Sequence, residues 1–431
     1  MISEQIKIRN FGAIKEFDLD LKKDFVVIFG KNNIGKSYAI SVVYLVLKHL
    51  LDIEADPITQ RDIETGLKNY FREKKISSEK ISEIFAPVVD NFRESLEESF
   101  YNTFDELDKI ISRFSKDKPN VTIMKNRGEL TLEVQEKRLV LKKFLPITDT
   151  IAEVDQFWEQ ELYPVLGKPL FFLYDEYIGQ AKRETSLIFF PASRSGLYQG
   201  LNAFSQIMVE LSKSRRFLTK KLELPSISEP VSDYFLGLSL MQTRKPNKDN
   251  AILSIVNKIE QTIIKGEVIF DEASKKIFYK PQETDLVLDV SLTSSMVSEL
   301  SPIVCYLKYV VAFADSKSII FIEEPEAHLH PETQVLLMEI FAKLIKANVK
   351  IIMTSHSDYM FNKMNNLILE GEFDIASLQA IVFKETSKGG TIAKEIPADS
   401  LGIDDENFLE IAEKLFNEKL ELIEKLNDEN S

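Results

Sequence analysis

Three short stretches of this chain carry residue types that could do chemistry on a phosphate chain. The first is Gly30-Lys31-Asn32-Asn33-Ile34-Gly35-Lys36-Ser37, which fits the pattern GxxxxGK[ST] of a phosphate-binding loop. Gly30 and Gly35 let the backbone wrap a phosphate with no Cβ in the way, so that successive N–H groups point at its oxygens. Lys36 can reach the β- and γ-phosphates, and Ser37 can offer its hydroxyl to Mg2+. The second stretch is Glu323-Glu324. Glu323 stands where an aspartate is usual and can hold Mg2+, directly or through water, while Glu324 can polarise an attacking water. The third is Thr354-Ser355-His356-Ser357, a polar cluster ending an apolar run. The chemistry these imply is magnesium-dependent hydrolysis of a nucleotide.

Such residues need strand ends and helix starts to hold them. Phe25-Val26-Val27-Ile28-Phe29 reads as a buried strand running into the loop, and Tyr38 to Leu50 as the helix after it. Ser318 to Ile322 and Ile351-Ile352-Met353 read as further buried strands delivering the carboxylates and the histidine. Ser186 to Phe190 is another, ending in Pro191-Ala192-Ser193-Arg194-Ser195-Gly196, the kind of strand-end loop where an α/β sheet places ligand contacts. Ahead of the loop, Gln5 to Arg9 and Glu16 to Leu21 form a predicted hairpin turning at Asn10 to Ile14. Leu51 to Lys116 reads as helical, with Phe92, Leu96, Phe100, Phe104, Leu107 and Ile111 at helical spacing. Val121 to Met124 and Leu130 to Val134 form a strand pair, and Asp149 to Leu162 a further helix. Gln199 to Ile264 reads mostly helical, followed by a hairpin around Asp271 to Lys275 and a strand from Leu286 to Val290. Asp404 can cap a helix over 405–427 with Phe408, Ile411, Leu415, Leu422 and Leu426 on one face, for packing on its own head or for docking a partner.

Composition narrows the class. With 54 basic and 68 acidic side chains the net charge is −14, which argues against a generally basic nucleic-acid coat. A local basic groove stays open. Lys213-Ser214-Arg215-Arg216 with Lys220-Lys221, and Arg244-Lys245-Pro246-Asn247-Lys248, could contact phosphate backbones or simply form solvated helix faces. The single cysteine, Cys305, rules out an internal disulfide and reads as a small core residue. His328 and His330 have no third histidine or cysteine nearby, which speaks against zinc. Met1 to Gln5 lacks the features of a secretory signal, and the apolar run from Pro302 to Ala314 is interrupted by Lys308 and short for a bilayer. The expected compartment is the cytoplasm, with no membrane partner.

The stretch "IKIRNFGAIKEFDLDL … VVIFGKNNIGKS" resembles the start of RecF- and SMC-like ATP-binding-cassette ATPases. "FIEEPEAHLHPE" resembles the Walker B and D-loop run of the same class. The resemblance covers Met1 to Leu50 and Ser291 to Asp358, and more weakly the strand at Ile188. It implies an α/β fold, an ABC-ATPase head with a RecA-like P-loop core and an antiparallel β lobe. The implied head spans 1–50 and 186–400, with a compact helical and β-hairpin insertion over 51–185 and the C-terminal amphipathic helix over 401–431. It further implies ATP and Mg2+ as ligands, with Gly30, Asn32, Asn33, Gly35, Lys36 and Ser37 around the nucleotide and Ser37 and Glu323 on the metal. Lys36, Glu324 and His356 are the implied catalytic residues, His356 as the switch histidine facing the γ-phosphate. "TSSMVSEL" occupies the place of the signature motif, with Met296 where a glycine is common, so Ser294 and Ser295 would reach the ATP of an opposed subunit. Cassettes of this class deliver a Q-loop glutamine from the strand at Ile188. This chain has none there, which leaves Ser193 or Arg194 as candidates for that role, against an ordinary loop arginine.

The implied engine is a switch: two heads close around two ATPs and open on hydrolysis. The pattern most resembles compact ATPase subunits of bacterial anti-phage systems, in the neighbourhood of OLD-family, Septu and PARIS ATPases. After the switch strand, Tyr359 to Ser431 is too short for the TOPRIM nuclease domain of an OLD protein, so the expected effector, a nuclease or toxin, is a separate chain. A RecF-like DNA-repair ATPase is the alternative, and would add nucleic acid to the partners. A transporter ATPase fits poorly with the "NF" hairpin.

Overall fold

The N-terminal hairpin closes around a turn that two left-handed residues permit, Asn10 (φ +56°) and Gly12 (φ +59°). Its strands, β1 (Glu4–Phe11) and β2 (Ile14–Asp20), pair antiparallel and lead into β3 (Phe25–Phe29), which is buried at every residue. The computed structural model describes residues 4–52, 78–112, 114–125, 128–145, 186–200, 227–243, 250–314, 317–399, 402–403 and 417–420. The helix expected over 149–162, the basic clusters at 213–221 and 244–248, and all but 417–420 of the C-terminal helix lie outside these residues.

Helix α1 (Lys36–Asp52) begins inside the phosphate-loop motif, two residues earlier than the apolar spacing suggests, because Lys36 and Ser37 already have helical backbone. Helix α2 (Ser78–Phe104) lays Phe92, Leu96 and Phe100 into the core beside it. Strands β4 (Asn120–Lys125), β5 (Gly128–Gln135) and β6 (Arg138–Leu145) follow. The sequence suggests two strands here. The third, β6, folds back at Glu136 and Lys137, both left-handed (φ +47° and +68°), and these strands extend the main sheet through β4 pairing with β1. Through β4, the described strands of 51–185 join the main sheet.

After β7 (Leu187–Phe190) come α3 (Glu229–Leu240) and α4 (Ala251–Ile259), the latter prolonged by a π turn at Glu260–Ile264. A small sheet holds β8 (Gly266–Asp271), β9 (Lys276–Pro281) and β10 (Leu288–Asp289). The strand expected over 286–290 shrinks to those two residues of β10; Leu286 and Val287 before it are about half exposed, with no strand partner. Helix α5 (Ser295–Tyr309), β11 (Ser318–Glu323), α6 (Pro331–Lys346), β12 (Val349–Ser355) and α7 (Asp358–Leu369) complete the motif-bearing half. Then come β13 (Leu378–Glu385), β14 (Thr391–Ile396) and a pair of two-residue strands, β15 (Ala398–Asp399) and β16 (Gly402–Ile403). The stretch Ser295–Phe313 is long and apolar enough to span a bilayer by composition, longer than the run noted in the sequence, but 72% of that window is buried inside the molecule.

One sheet of eleven strands runs through the molecule in the order β6-β5-β4-β1-β2-β14-β13-β3-β12-β11-β7. From β13 to β7 the neighbours are parallel, and from β6 to β2 antiparallel. This is the parallel core and antiparallel lobe of an ATP-binding-cassette head, joined without a break by β2 and β14. Parallel strands with helices on both sides have no wet face, which is why their sequences are unbroken apolar runs. Alternation still sorts them. Phe25, Val27 and Phe29 of β3 face a core shared with α3 to α7, while Val26 and Ile28 face one shared with α1, α2 and the lobe.

Candidate functional site

Because β3, β7, β11 and β12 are parallel, their C-terminal ends lie along one edge of the sheet, where a doubly covered sheet binds ligands. Register aligns those ends: Ser355 is opposite Phe29, Glu323 opposite Thr354, and Ile322 opposite Phe190. The loop 30–37, Glu323-Glu324, His356 and 191–194 all leave from this edge.

The loop needs its two glycines. Gly30 sits at φ +142° and Gly35 at φ +99°, and a Cβ would lie 2.6 Å from Ile34 Cδ1 at the first and 2.9 Å from Ile14 Cγ1 at the second. Asn33 takes the left-handed region at φ +61°, while Asn32 and Asn33 are both exposed. Lys36 folds back over its own loop, donating from Nζ to the carbonyls of Gly30 (2.9 Å) and Lys31 (2.7 Å). Burial pushes its ammonium down to about 8, against the pull of Glu324, Glu326 and Glu323. A cation held by two carbonyls beside three carboxylates is suited to exchange them for phosphate oxygens.

Glu323 is half-buried with its Oε1 out of water, and desolvation raises its pKa, opposed by hydrogen bonds from the Ser37 hydroxyl and the Ala192 N–H. Its Oε1 has no hydrogen-bond partner among the described residues. A buried carboxylate oxygen left open beside a serine hydroxyl is the kind of hard-oxygen donor that would hold Mg2+. The residues present fit that ion.

Glu324 stands at φ +44°, a left-handed backbone that costs energy for a residue with a side chain and is found where a site demands it. Its N–H donates to the Thr354 carbonyl (3.1 Å) and hydroxyl (3.3 Å), which fixes the turn. Its Oε1 lies 3.3 Å from His356 Nε2, and the hydrogen bond to that ring holds the carboxyl below the usual range. The structure thus brings Lys36, Ser37, Glu323, Glu324 and His356 together.

Two residues the motifs did not single out hold this group. Glu326 accepts from the Ser355 hydroxyl (2.9 Å) and the His356 N–H (2.5 Å), tying the histidine turn to the carboxylate turn. Glu299 of α5 is fully buried and grips the 191–195 loop: it accepts from Arg194 N–H (3.0 Å), Ser195 N–H (3.2 Å) and the Ser195 hydroxyl (2.6 Å). The sequence signal was an acid inside an otherwise apolar helix.

Arg194 does not stand in for the missing glutamine. It is fully buried, with Nη1 donating to the carbonyls of Pro191 (3.1 Å) and Glu323 (2.9 Å), and Nη2 to that of Glu324 (3.4 Å). Its Nε lies 3.2 Å from Glu299 Oε2. It bolts α5 to the carboxylate turn from behind. Ser193 is left-handed at φ +56° at the start of the same turn.

Ser294 caps α5, accepting from Val297 N–H, and Ser295 begins the helix. No hydrogen bond described joins either to the loop 30–37. Met296 lies 3.8 Å from the Thr333 hydroxyl at the start of α6. His330 caps α6 through Nδ1, and His328 is a left-handed turn residue at φ +61°. Cys305 is buried in the core, and burial pushes its thiol up.

Sheet order and site edge together give a phosphate-loop fold with a parallel core and an antiparallel lobe. The chain belongs to the AAA ATPase domain family, whose model matches residues 1–361. No curated protein sequence matches it. Among solved structures it is similar to an SMC head bound to the C-winged helix domain of ScpA, at 11% identity over 92% of this chain and 97% of that one, with a TM-score of 0.43. An SMC head with an extended coiled coil, bound to the C-terminal domain of ScpA and derived from Pyrococcus furiosus, is 13% identical over 97% and 99%, TM-score 0.43. The SMC head domain from Thermotoga maritima is 10% identical over 93% and 100%, TM-score 0.39. The family assignment rests on the sequence match.

Proposed function

We propose that this chain is an ATP-hydrolysing switch subunit that closes as a head-to-head dimer around Mg·ATP and controls a separately encoded effector, a nuclease or toxin, in anti-phage defence. One observation carries the enzymatic half: Lys36, Ser37, Glu323 and the Glu324–His356 pair meet at one sheet edge. In this reading, loop N–H groups around Gly30, Asn32, Asn33 and Gly35 cradle the phosphates, and Lys36 gives up its two carbonyl partners to neutralise the β- and γ-phosphates. Ser37 and Glu323 hold Mg2+, which supplies charge compensation on the phosphate oxygens. Glu324 orients the attacking water and accepts its proton, while His356 faces the γ-phosphate. The new bond joins water oxygen to γ-phosphorus, the bond to the β,γ-bridging oxygen breaks, and ADP and phosphate leave. Ser294 and Ser295, at the start of α5, act on the ATP of the opposed subunit.

The defence role rests on the motif resemblance, and a cytoplasmic location accompanies it. The test expresses the tagged chain with its flanking genes, as wild type and as Glu324→Gln, with and without Mg·ATP. Release of phosphate by the wild type, ATP-trapped dimers of Glu324→Gln and nucleotide-dependent co-elution of a nuclease or toxin are the expected results. A chain that binds and hydrolyses no ATP overturns the reading. ATP-dependent dimers that retain DNA and bring no partner would replace the effector role by DNA repair.

A further inference from the structure

One aromatic side chain at the candidate site has no part in the phosphate chemistry above. Tyr38 follows Ser37 directly and is the third residue of α1. Helical side chains lean toward the N-terminus of their helix, so its ring is carried back toward the phosphate-binding end. Tyr38 is 45% exposed. One side is stacked on Phe104, with centroids 5.2 Å apart and planes 20° from parallel, and Phe11 meets it edge-on at 6.5 Å. Phe104 in turn packs against the fully buried Phe11 and Phe100, so Tyr38 is the wet end of an aromatic column rooted in the core.

Its neighbours are arranged to leave it open. The hairpin turn comes alongside at Gly12, where even a Cβ would stand 3.7 Å from the ring, and any larger side chain would lie along it. That turn is held by the Gly12 N–H donating to the Ile110 carbonyl at 2.6 Å. Ile111 and Phe114, on the segment that crosses the turn, are also exposed, at 43% and 46%. A flat ring backed by a second ring and bordered by bare backbone is the surface a nucleobase stacks on.

We propose that Tyr38 is the platform for the base of the bound nucleotide, stacking on a purine whose triphosphate occupies loop 30–37. This rests on the nucleotide-binding reading and adds to it the residue that recognises the part of the ligand remote from the phosphates. A ring that only covers Phe104 could be replaced by any apolar side chain, and this separates the two roles. The test titrates Mg·ATP, Mg·UTP and Mg·tripolyphosphate, which has no base, into the full-length wild type, Tyr38→Phe and Tyr38→Leu, reading Kd by calorimetry.

The wild type and Tyr38→Phe are expected to bind ATP alike and more tightly than UTP, whose ring is smaller. Tyr38→Leu, which keeps Phe104 covered, is expected to lose on the order of tenfold in ATP affinity and none for tripolyphosphate. Unchanged ATP binding by Tyr38→Leu overturns the proposal. Equal losses for ATP and tripolyphosphate also overturn it, because they mean the loop itself was disturbed. A wild type that binds tripolyphosphate as tightly as ATP leaves the phosphate site standing and removes the base platform. A wild type that binds neither sinks the nucleotide reading and this proposal with it.

Discussion

Glu299→Gln should unfold this head far more easily than a change of one atom suggests. Glu299 and Arg194 form an ion pair with both side chains wholly out of water, their Nε and Oε2 3.2 Å apart. Glutamine preserves shape and leaves the arginine its carbonyl partners on Pro191, Glu323 and Glu324. What is lost is the only carboxylate that pairs with the guanidinium among the described residues, and the charge stays buried. Breaking a buried pair costs about 3–5 kcal/mol. The retained carbonyls place this variant near the lower end, about 3 kcal/mol, out of a total that for folded domains is ~5–15 kcal/mol. Arg194→Met should cost at least as much, because it takes the donor from the Pro191 and Glu323 carbonyls, each worth about 1–3 kcal/mol when buried and unpaired, and strands the Glu299 carboxylate. Adding Glu299→Met to Arg194→Met should then cost less than Glu299→Met costs alone, since the stranded carboxylate goes and only the Arg194 N–H and the Ser195 donors lose their acceptor. Urea unfolding followed by far-ultraviolet circular dichroism measures all three, with Glu299→Met alone completing the cycle. A Glu299→Gln shift below about 1 kcal/mol, within the range of ordinary surface changes, would refute the argument. So would a double variant as unstable as the sum of its singles.

Three further outcomes follow from contacts described above or nearby in the fold. Glu326→Ala frees the Ser355 hydroxyl and His356 N–H, so steady-state phosphate release should fall roughly 100-fold as the histidine turn drifts, with ATP affinity held within a few-fold; matched losses in kcat and affinity would argue against a positioning role. Lys350 of β12 is fully buried, donates to the Leu21 carbonyl at 2.6 Å and is pushed down to about 7 by burial. Between that pH and the ordinary lysine value the unfolded chain binds a proton the folded chain does not, so stability should rise with pH from 7 toward 10; the wild-type rise should be absent in Lys350→Met, and equal slopes would count against it. Glu229→Ala removes the acceptor shared by Lys48 (2.8 Å) and Ser99 (2.7 Å) between α1, α2 and α3, and should lower stability by about 2 kcal/mol in thermal unfolding, whereas no change would mean that network is solvated.

The parts of this molecule that carry chemistry were legible in its sequence because each is a local pattern. Loop 30–37 requires glycines at two positive-φ positions, and apolar runs ending in Glu323-Glu324 and Ser355-His356 can only be strands buried on both faces. What the sequence did not offer was partnership across the chain. Arg194 looked like a loop arginine facing a ligand; its burial depends on Glu299, which lies 105 residues away in the chain. Strand β6 needs a reversal at Glu136 and Lys137, two residues with no turn chemistry of their own. Strand β13 lies beside β3 in the centre of the sheet, yet it falls beyond the last recognisable motif at Asp358, and nothing in its composition assigns it that neighbour.

The unbroken sheet has a mechanical consequence. Seven strand-to-strand steps separate β3, which carries the phosphate loop, from β6 at the far margin. At about 4.8 Å per step that is a span of roughly 34 Å, with lobe and core joined at β2 and β14 by two residue pairs around a register shift. A tilt of about 5° at the nucleotide would sweep β6 through roughly 3 Å, with the twist of the sheet setting the direction. No described strand pairs with the outer side of β6, and it carries Arg138, Lys142 and Lys143, the charged margin that keeps a free edge from zipping onto a neighbour. Hydrolysis at one end of this beam would thus be felt as displacement at the other.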